Sequence, residues 1–207
     1  MQAQSLLRLW LLAALVAASS SLLACGDEEV ENPEGANEQE IITTVALTFS
    51  PRGGGDAVEA QFRDADGPGG DAPTKAPIAL KAGTTYDLSL ELLNETVSPD
   101  AEEYNIGAEI EEEAEEHQFL YSGSALEGTV TFEYADKESD YPNGNQEGDD
   151  LPVGLRGTVV AAAPGSGTFT VTLKHLPPLN DTPVKTADVS DDDGETDISV
   201  DFDLTVE

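Results

Sequence analysis

The chain has 207 residues, with nine Lys and Arg against 42 Asp and Glu, and a formal net charge of −33. A chain this acidic is repelled by nucleic-acid phosphates and gains nothing by charge from an anionic membrane surface. A single Cys excludes a disulfide framework and a Cys-rich zinc site. One domain with an apolar core fits within this length.

Residues 1–24 predict a lipoprotein signal peptide. Arg8 is the one charge in this segment, and residues 6–16 form an apolar run that is short for a membrane span. The segment ends Leu-Leu-Ala and is followed by Cys25, which resembles the bacterial lipobox. That motif implies that Cys25 is acylated and becomes the new N-terminus. We therefore expect the chain to be anchored in a lipid bilayer by its acyl chains.

Residues 25–40 predict a disordered acidic tether, because they are rich in acids, Asn, Pro and Gly and offer little to bury. Position 26 is Gly rather than Asp, so the usual signal for retention in the inner membrane is absent. The acidic cluster after Cys25 resembles the export signal of surface lipoproteins in Bacteroidota, although the acidity of the whole chain explains it equally. We expect an outer-membrane location, on the periplasmic side or on the cell surface.

Residues 41–207 predict an all-β domain, an antiparallel β-sandwich with one short acidic helix. Apolar and polar residues alternate in several short runs separated by Gly, Asp and Pro, which is typical of strands with one wet face. The runs are 41–49, 57–63, 85–93, 129–134, 155–161, 168–175 and 198–206. The expected core includes Val58, Phe62, Leu88, Leu90, Phe132, Val171, Leu173, Val200 and Phe202.

The helix is predicted over residues 106–117, where helix formers dominate. Ile106, Ile110, Ala114 and His117 follow helical spacing and would form its buried stripe. Glu occupies six of the eight remaining positions, so the helix should be weak in isolation.

The two histidines are candidate metal ligands. On the predicted helix, His117 follows Glu113 at i,i+4, a spacing that places both side chains on one face for a transition metal. His175 ends a strand and could meet His117 in space, which the sequence alone does not show. A structural role at an element junction is the alternative for both, and the sequence favours it. The metal-binding interpretation stays open.

A Gly-rich acidic loop is a candidate calcium site. Asp64, Asp66 and Asp71 supply carboxylates with Gly between them, and Ca²⁺ prefers several oxygens on a tight loop. The EF-hand pattern is incomplete, because Pro68 and Lys75 stand where it requires acidic or amide ligands. An ordinary Gly/Asp turn explains the loop as well.

No catalytic motif is present in the sequence. It has no Gly-x-Ser-x-Gly elbow, and the triple glycine at 53–55 lacks the Lys of a phosphate-binding loop. The one Cys is used by the predicted anchor. We therefore expect no enzymatic activity.

Several segments resemble a family of small, uncharacterised Bacteroidota lipoproteins, often labelled "type 1 periplasmic binding fold superfamily protein". The matching segments are 42–45, 91–95, 112–119, 171–175 with Pro178 and Lys185, and 194–198. The label implies a longer two-lobed α/β chain, whereas the alternating runs predict an all-β fold. Where the family has Arg before the second His and an acid after it, this chain has Lys174 and Leu176.

Two functions follow as hypotheses. The first is a non-catalytic binding or interaction module at the outer membrane, serving a small ligand or an outer-membrane protein partner. The second is a metal-handling lipoprotein that uses His117, His175 and Glu113, or Ca²⁺ in the Asp-rich loops.

Overall fold

The computed structural model describes residues 40–67, 69–144, 149–179, 182 and 184–207. The predicted signal peptide, Cys25 and residues 26–39 of the predicted tether lie outside the described residues. Within the described ranges the strands are β1 (Thr44–Pro51), β2 (Val58–Arg63), β3 (Thr74–Lys75), β4 (Ile78–Leu80), β5 (Thr84–Leu93), β6 (His117–Ser122), β7 (Val130–Tyr134), β8 (Arg156–Ala161), β9 (Gly165–His175) and β10 (Glu195–Val206). The helix α1 spans Ile106–Glu112, and short 3-10 turns lie at Glu102–Tyr104, Ser124–Glu127 and Glu138–Asp140.

The strands form two sheets that pack face to face. The larger sheet has the order β3-β2-β1-β5-β8-β7, and the smaller has the order β4-β10-β9-β6. The pairings within both sheets are antiparallel except for the short parallel pair β4 and β10. Phe49 of one sheet meets Phe169 of the other edge-on, with ring centroids 6.3 Å apart. The predicted all-β sandwich with one helix is confirmed.

The core lies between the two sheets and contains the alternating apolar residues that the sequence indicated. Leu88, Val171, Leu173, Val200 and Phe202 are buried as predicted. The other four predicted members, Val58, Phe62, Leu90 and Phe132, are partly buried and pack against the core. Burial of apolar surface contributes about 25 cal/mol per Å² to folding. The apolar residues that alternate along the strands are therefore the main reason that the sandwich forms.

Helix α1 begins at the predicted residue but ends earlier. Asn105 precedes the first turn, and its side-chain oxygen accepts a hydrogen bond from the backbone N–H of Ala108 at 3.3 Å. The helix ends at Glu112 rather than at residue 117. Its last turn carries acids and no basic residue, and negative charge is unfavourable at the C-terminal end of the helix dipole.

The early end of α1 moves His117 from a helix to a strand, which corrects the predicted i,i+4 arrangement. Residues 113–116 form turns, and His117 is the first residue of β6. This strand was not among the predicted runs, because its residues His-Gln-Phe-Leu-Tyr-Ser do not alternate cleanly. Among the described residues, no helix is long and apolar enough to cross a bilayer.

Candidate metal centre

The two histidines lie directly opposite each other at one end of the smaller sheet. β6 pairs with β9 in antiparallel register, and His117 is the partner of His175. Side chains alternate along a strand, so His117 shares a face with Phe119, and His175 shares one with Leu173. Both of those residues belong to the core. The imidazole rings stack with centroids 4.6 Å apart and an angle of 8° between their planes.

The contacts of His117 fix which nitrogen is free. The ring is completely buried, and its Nδ1 lies 3.2 Å from the backbone carbonyl of Glu113, to which a protonated Nδ1 donates a hydrogen bond. That tautomer leaves a lone pair on Nε2, which has no hydrogen-bond partner. Burial, with a smaller contribution from His175, lowers the pKa of His117 to about 3. The ring is therefore neutral at physiological pH and presents a bare nitrogen.

A buried carboxylate faces this nitrogen. Oδ2 of Asp197 lies 3.9 Å from Nε2 of His117, and the Asp197 side chain is completely shielded from solvent. The distance is too long for a hydrogen bond, and neither carboxylate oxygen has any other partner with hydrogen-bond geometry. Burial is the main cause that raises the pKa of Asp197 to about 6, and the backbone N–H of Glu40 offsets part of this rise.

A β-bulge places Asp197 in this position. In the register of β10 with β9, Thr196 pairs with Lys174 and Ile198 pairs with Leu173, which leaves Asp197 as an extra residue between them. A bulge of this kind re-aims one side chain while the rest of the strand keeps its alternation. The sequence carries no signal for this bulge, and Asp197 was not among the predicted site residues.

Two further carboxylates flank the rings. Oε2 of Glu113 lies 3.9 Å from Nδ1 of His117, and Oε2 of Glu116 lies 4.0 Å from Nε2 of His175. Burial and the neighbouring acids, Glu116 first among them, raise the pKa of Glu113 to about 7. Burial also raises the pKa of Glu116 and lowers that of His175. One ligand atom from each of Glu113, His117 and His175 lies within 4.8 Å of the others.

Glu40 extends the cluster towards solvent. Its half-buried side chain shares a hydrogen bond with Glu109 of α1. Burial, followed by the charges of Glu109 and Asp197, raises the pKa of Glu40 to about 8. A carboxyl pair of this kind holds one proton between two acids, as like charges so close do not both ionise. The predicted tether therefore ends on a residue that contacts the domain.

Asp197 is not part of the group of Glu113, His117 and His175, and a small divalent cation between Asp197 and His117 requires these two side chains to approach each other. Zinc lies about 2.0–2.2 Å from nitrogen and carboxylate ligands, which separates two tetrahedral ligand atoms by roughly 3.3–3.5 Å. The observed 3.9 Å requires a closure of about half an ångström. His175 is different, because a metal binds in the plane of an imidazole and one point cannot lie in two parallel, stacked planes. His175 joins such a site only after its ring turns.

The Asp-rich loop is arranged as a turn. Oδ2 of Asp66 accepts a hydrogen bond from the backbone N–H of Asp71 at 2.8 Å, and the backbone carbonyl of Asp64 accepts one from Gly67 at 3.1 Å. Oδ1 of Asp64 is buried without a partner. Among the described residues, the side chains close enough together to share a metal ion do not include Asp64, Asp66 or Asp71. The calcium interpretation of this loop stays a prediction.

Comparison with known proteins adds no assignment: no protein-family model, no curated protein and no solved structure matches the chain.

Proposed function

We propose that the chain is an exported, lipid-anchored and non-catalytic binding module whose ligand is a divalent transition-metal ion. The observation that carries this proposal is the buried, unpartnered Nε2 of His117 facing the buried, unpartnered carboxylate of Asp197. Buried polar groups are almost always hydrogen-bonded, and leaving one unpaired costs about 1–3 kcal/mol. Two such groups that face each other, one a lone pair and the other an anion, are both satisfied by one cation.

The ligand types favour a zinc-like ion over calcium. Imidazole nitrogen with carboxylate oxygen suits Zn²⁺, Cu²⁺ or Ni²⁺, whereas Ca²⁺ takes six to eight oxygens. The Nδ1–H of His117 is held by the carbonyl of Glu113, which is how proteins orient a metal-ligating histidine. The Glu113 carboxylate lies beside Nδ1 rather than Nε2, so His175, after rotation of its ring, is the further ligand in this proposal. The apolar core behind the rings keeps the site rigid and largely dry.

Isothermal titration of Zn²⁺ into the metal-stripped mature chain tests the metal assignment. We expect one ion per chain. Loss of a residue that only hydrogen-bonds to a metal ligand weakens metal binding about 10–100-fold. His117→Ala and Asp197→Asn remove direct ligands, so each should weaken zinc binding by more than this. Asp203→Asn is the matched control, because Asp203 is an exposed acid on the same strand. The proposal is wrong if Zn²⁺, Cu²⁺ and Ni²⁺ all fail to bind, or if they bind equally to the Asp197→Asn variant.

The anchor is tested separately. Cys25→Ala should remove the acyl chains and release the protein from the membrane fraction, since no second thiol is present in the chain. Intact-mass measurement of the purified wild type and variant decides the point. Acyl chains on the variant would exclude Cys25 as the lipidated residue.

A further inference from the structure

A cleft opens in the larger sheet where β5 and β8 separate. The pairing of these strands ends at Ser89 and Arg156, and one more hydrogen bond runs from the backbone N–H of Leu90 to the carbonyl of Leu155 at 3.0 Å. β5 continues beyond this point, whereas β8 begins there. The resulting cleft has a volume of about 590 Å³, which lies within the range of about 300–1,000 Å³ that is typical of small-molecule sites.

Charges of both signs line this cleft without neutralising each other. Ser89 is the register partner of Arg156, and Glu91 lies two residues further along β5, so Glu91 and Arg156 are diagonal neighbours on one face of the sheet. Glu111 of α1 adds a second carboxylate to the lining. Within the described ranges, the side chains of Glu91 and Glu111 form neither an ion pair nor a hydrogen bond. The cleft therefore separates a cation from two unpaired anions.

The guanidinium of Arg156 is held in position without a carboxylate in hydrogen-bond range. Its Nη2 lies 3.8 Å from Oδ2 of Asp140, and its central carbon lies 5.4 Å from the centre of the Tyr141 ring. By contrast, Arg52 and Arg63 each donate to a carboxylate at 2.7–2.9 Å. A guanidinium presents a fork of N–H donors that matches a carboxylate. Arg156 can therefore offer this fork to a ligand that enters the cleft.

We propose that this cleft binds a short peptide by its two charged ends. The C-terminal carboxylate of the peptide meets Arg156, and its N-terminal ammonium meets Glu91 and Glu111. An anion alone would be repelled by the two glutamates and a cation alone by the arginine, whereas a zwitterion satisfies both. A chain of two or three residues, at about 3.3–3.6 Å each, spans the roughly 7–8 Å of such a diagonal. This role goes beyond the proposed metal binding and does not depend on it.

Calorimetric titration of trialanine into the mature chain tests this site. EDTA in the buffer keeps metal ions out, so the result is independent of the zinc titration. We expect one peptide per chain. N-acetyl-trialanine and trialanine amide each lack one terminal charge, and each should bind at least about 10-fold more weakly, because hydrogen bonds to charged groups contribute more than neutral ones. The proposal is wrong if trialanine does not bind, or if a peptide blocked at both ends binds equally well.

Variants of the protein assign each end of the peptide to its partner. Arg156→Gln should weaken binding of trialanine about 10-fold but should leave binding of the amide unchanged, since the amide has no carboxylate to lose. The double variant Glu91→Gln/Glu111→Gln should do the same for trialanine and leave the N-acetyl peptide unchanged. Arg52→Gln is the matched control, because Arg52 is an exposed arginine already paired with Asp87. Equal losses in Arg52→Gln and Arg156→Gln would mean that only net charge matters, which overturns the site.

Discussion

Two buried polar clusters in this sandwich differ in one respect: one is fully hydrogen-bonded and the other is not. In the first, Asp136 accepts hydrogen bonds from the backbone N–H groups of Gly154 and Arg156 and from the hydroxyl of Tyr141, at 2.6–2.9 Å. In the second, Nε2 of His117 and both oxygens of Asp197 lack a partner with hydrogen-bond geometry, although the backbone N–H of Glu40 lies close enough to Asp197 to lower its pKa. Equal burial therefore has different consequences, since a satisfied network stabilises the fold and an unsatisfied one is costly until a further partner pairs its groups.

The ion pair of Lys185 and Glu138, which lies near Asp136 and belongs to the same cluster, also contacts the turn that leads to the candidate metal centre. Nζ of Lys185, on a side chain that is 1% exposed, donates to Oε1 of Glu138 at 2.9 Å and to the backbone carbonyl of Ala114 at 2.8 Å. Ala114 lies within the turn 113–116, which follows α1 and leads to His117. The Lys185 ammonium thus supplies the positive charge that the acidic C-terminal turn of α1 lacks.

The largest expected effect follows from removing this lysine. Lys185→Met should lower the free energy of unfolding by about 3–5 kcal/mol, because it leaves the Glu138 carboxylate buried without a counter-ion. Urea unfolding measures the loss, with Lys81→Met as the exposed control.

The double variant Lys185→Met/Glu138→Met sharpens this test. It removes both charges together, so most of the stability should return. If Lys185→Met unfolds with the midpoint of the wild type, the first cluster is not the structural support described above.

The unsatisfied cluster should respond in the opposite direction. Folding raises the pKa of Asp197 from 3.8 to about 6, so the folded state disfavours its charged form. Ionisation of Asp197 therefore lowers the free energy of unfolding as pH rises from about 4 to 6, by on the order of 2–3 kcal/mol. This loss persists above pH 6. Asp197→Asn removes this titration and should make the metal-free protein more stable than the wild type at pH 8, but not at pH 4.

Chemical denaturation in EDTA at both pH values measures this difference. Asp203→Asn again serves as the control, since an exposed acid should not change the pH profile. A wild type and an Asp197→Asn variant with parallel profiles would show that Asp197 is already satisfied in the metal-free protein. The opposite signs expected for stability and for zinc affinity are what distinguish a ligand site from a structural contact.

The sequence predicted the strands and the three clustered residues Glu113, His117 and His175, but it did not predict Asp197. Runs that alternate strictly, such as that of β10, specify their buried face locally, and the structure confirms them. The contact between His117 and Asp197 depends instead on a bulge between Thr196 and Ile198 and on a strand pairing across 58 residues, from 117 to 175. Neither the bulge nor the long-range strand pairing produces a recognisable pattern in the local sequence. Glu113 was predicted as a ligand because a helix would place it on the same face as His117. The helix ends before Glu113, but the turn after α1 nevertheless places Glu113 beside His117.

The smallest expected effect separates the two histidines. His175→Phe keeps an aromatic ring against His117 and removes both ring nitrogens of His175. The rings are stacked within 8° of parallel, so His175 does not share the metal position of His117 until its ring turns, and that reorganisation reduces what the extra ligand contributes. We expect zinc affinity to fall by about 10-fold or less, equivalent to about 1.4 kcal/mol, with the stoichiometry unchanged. His117→Phe, which places the same ring on the partner position, should abolish binding. Equal losses in the two variants would mean that the metal-bound site uses both imidazoles from the start, and that the stacked arrangement describes only the metal-free protein.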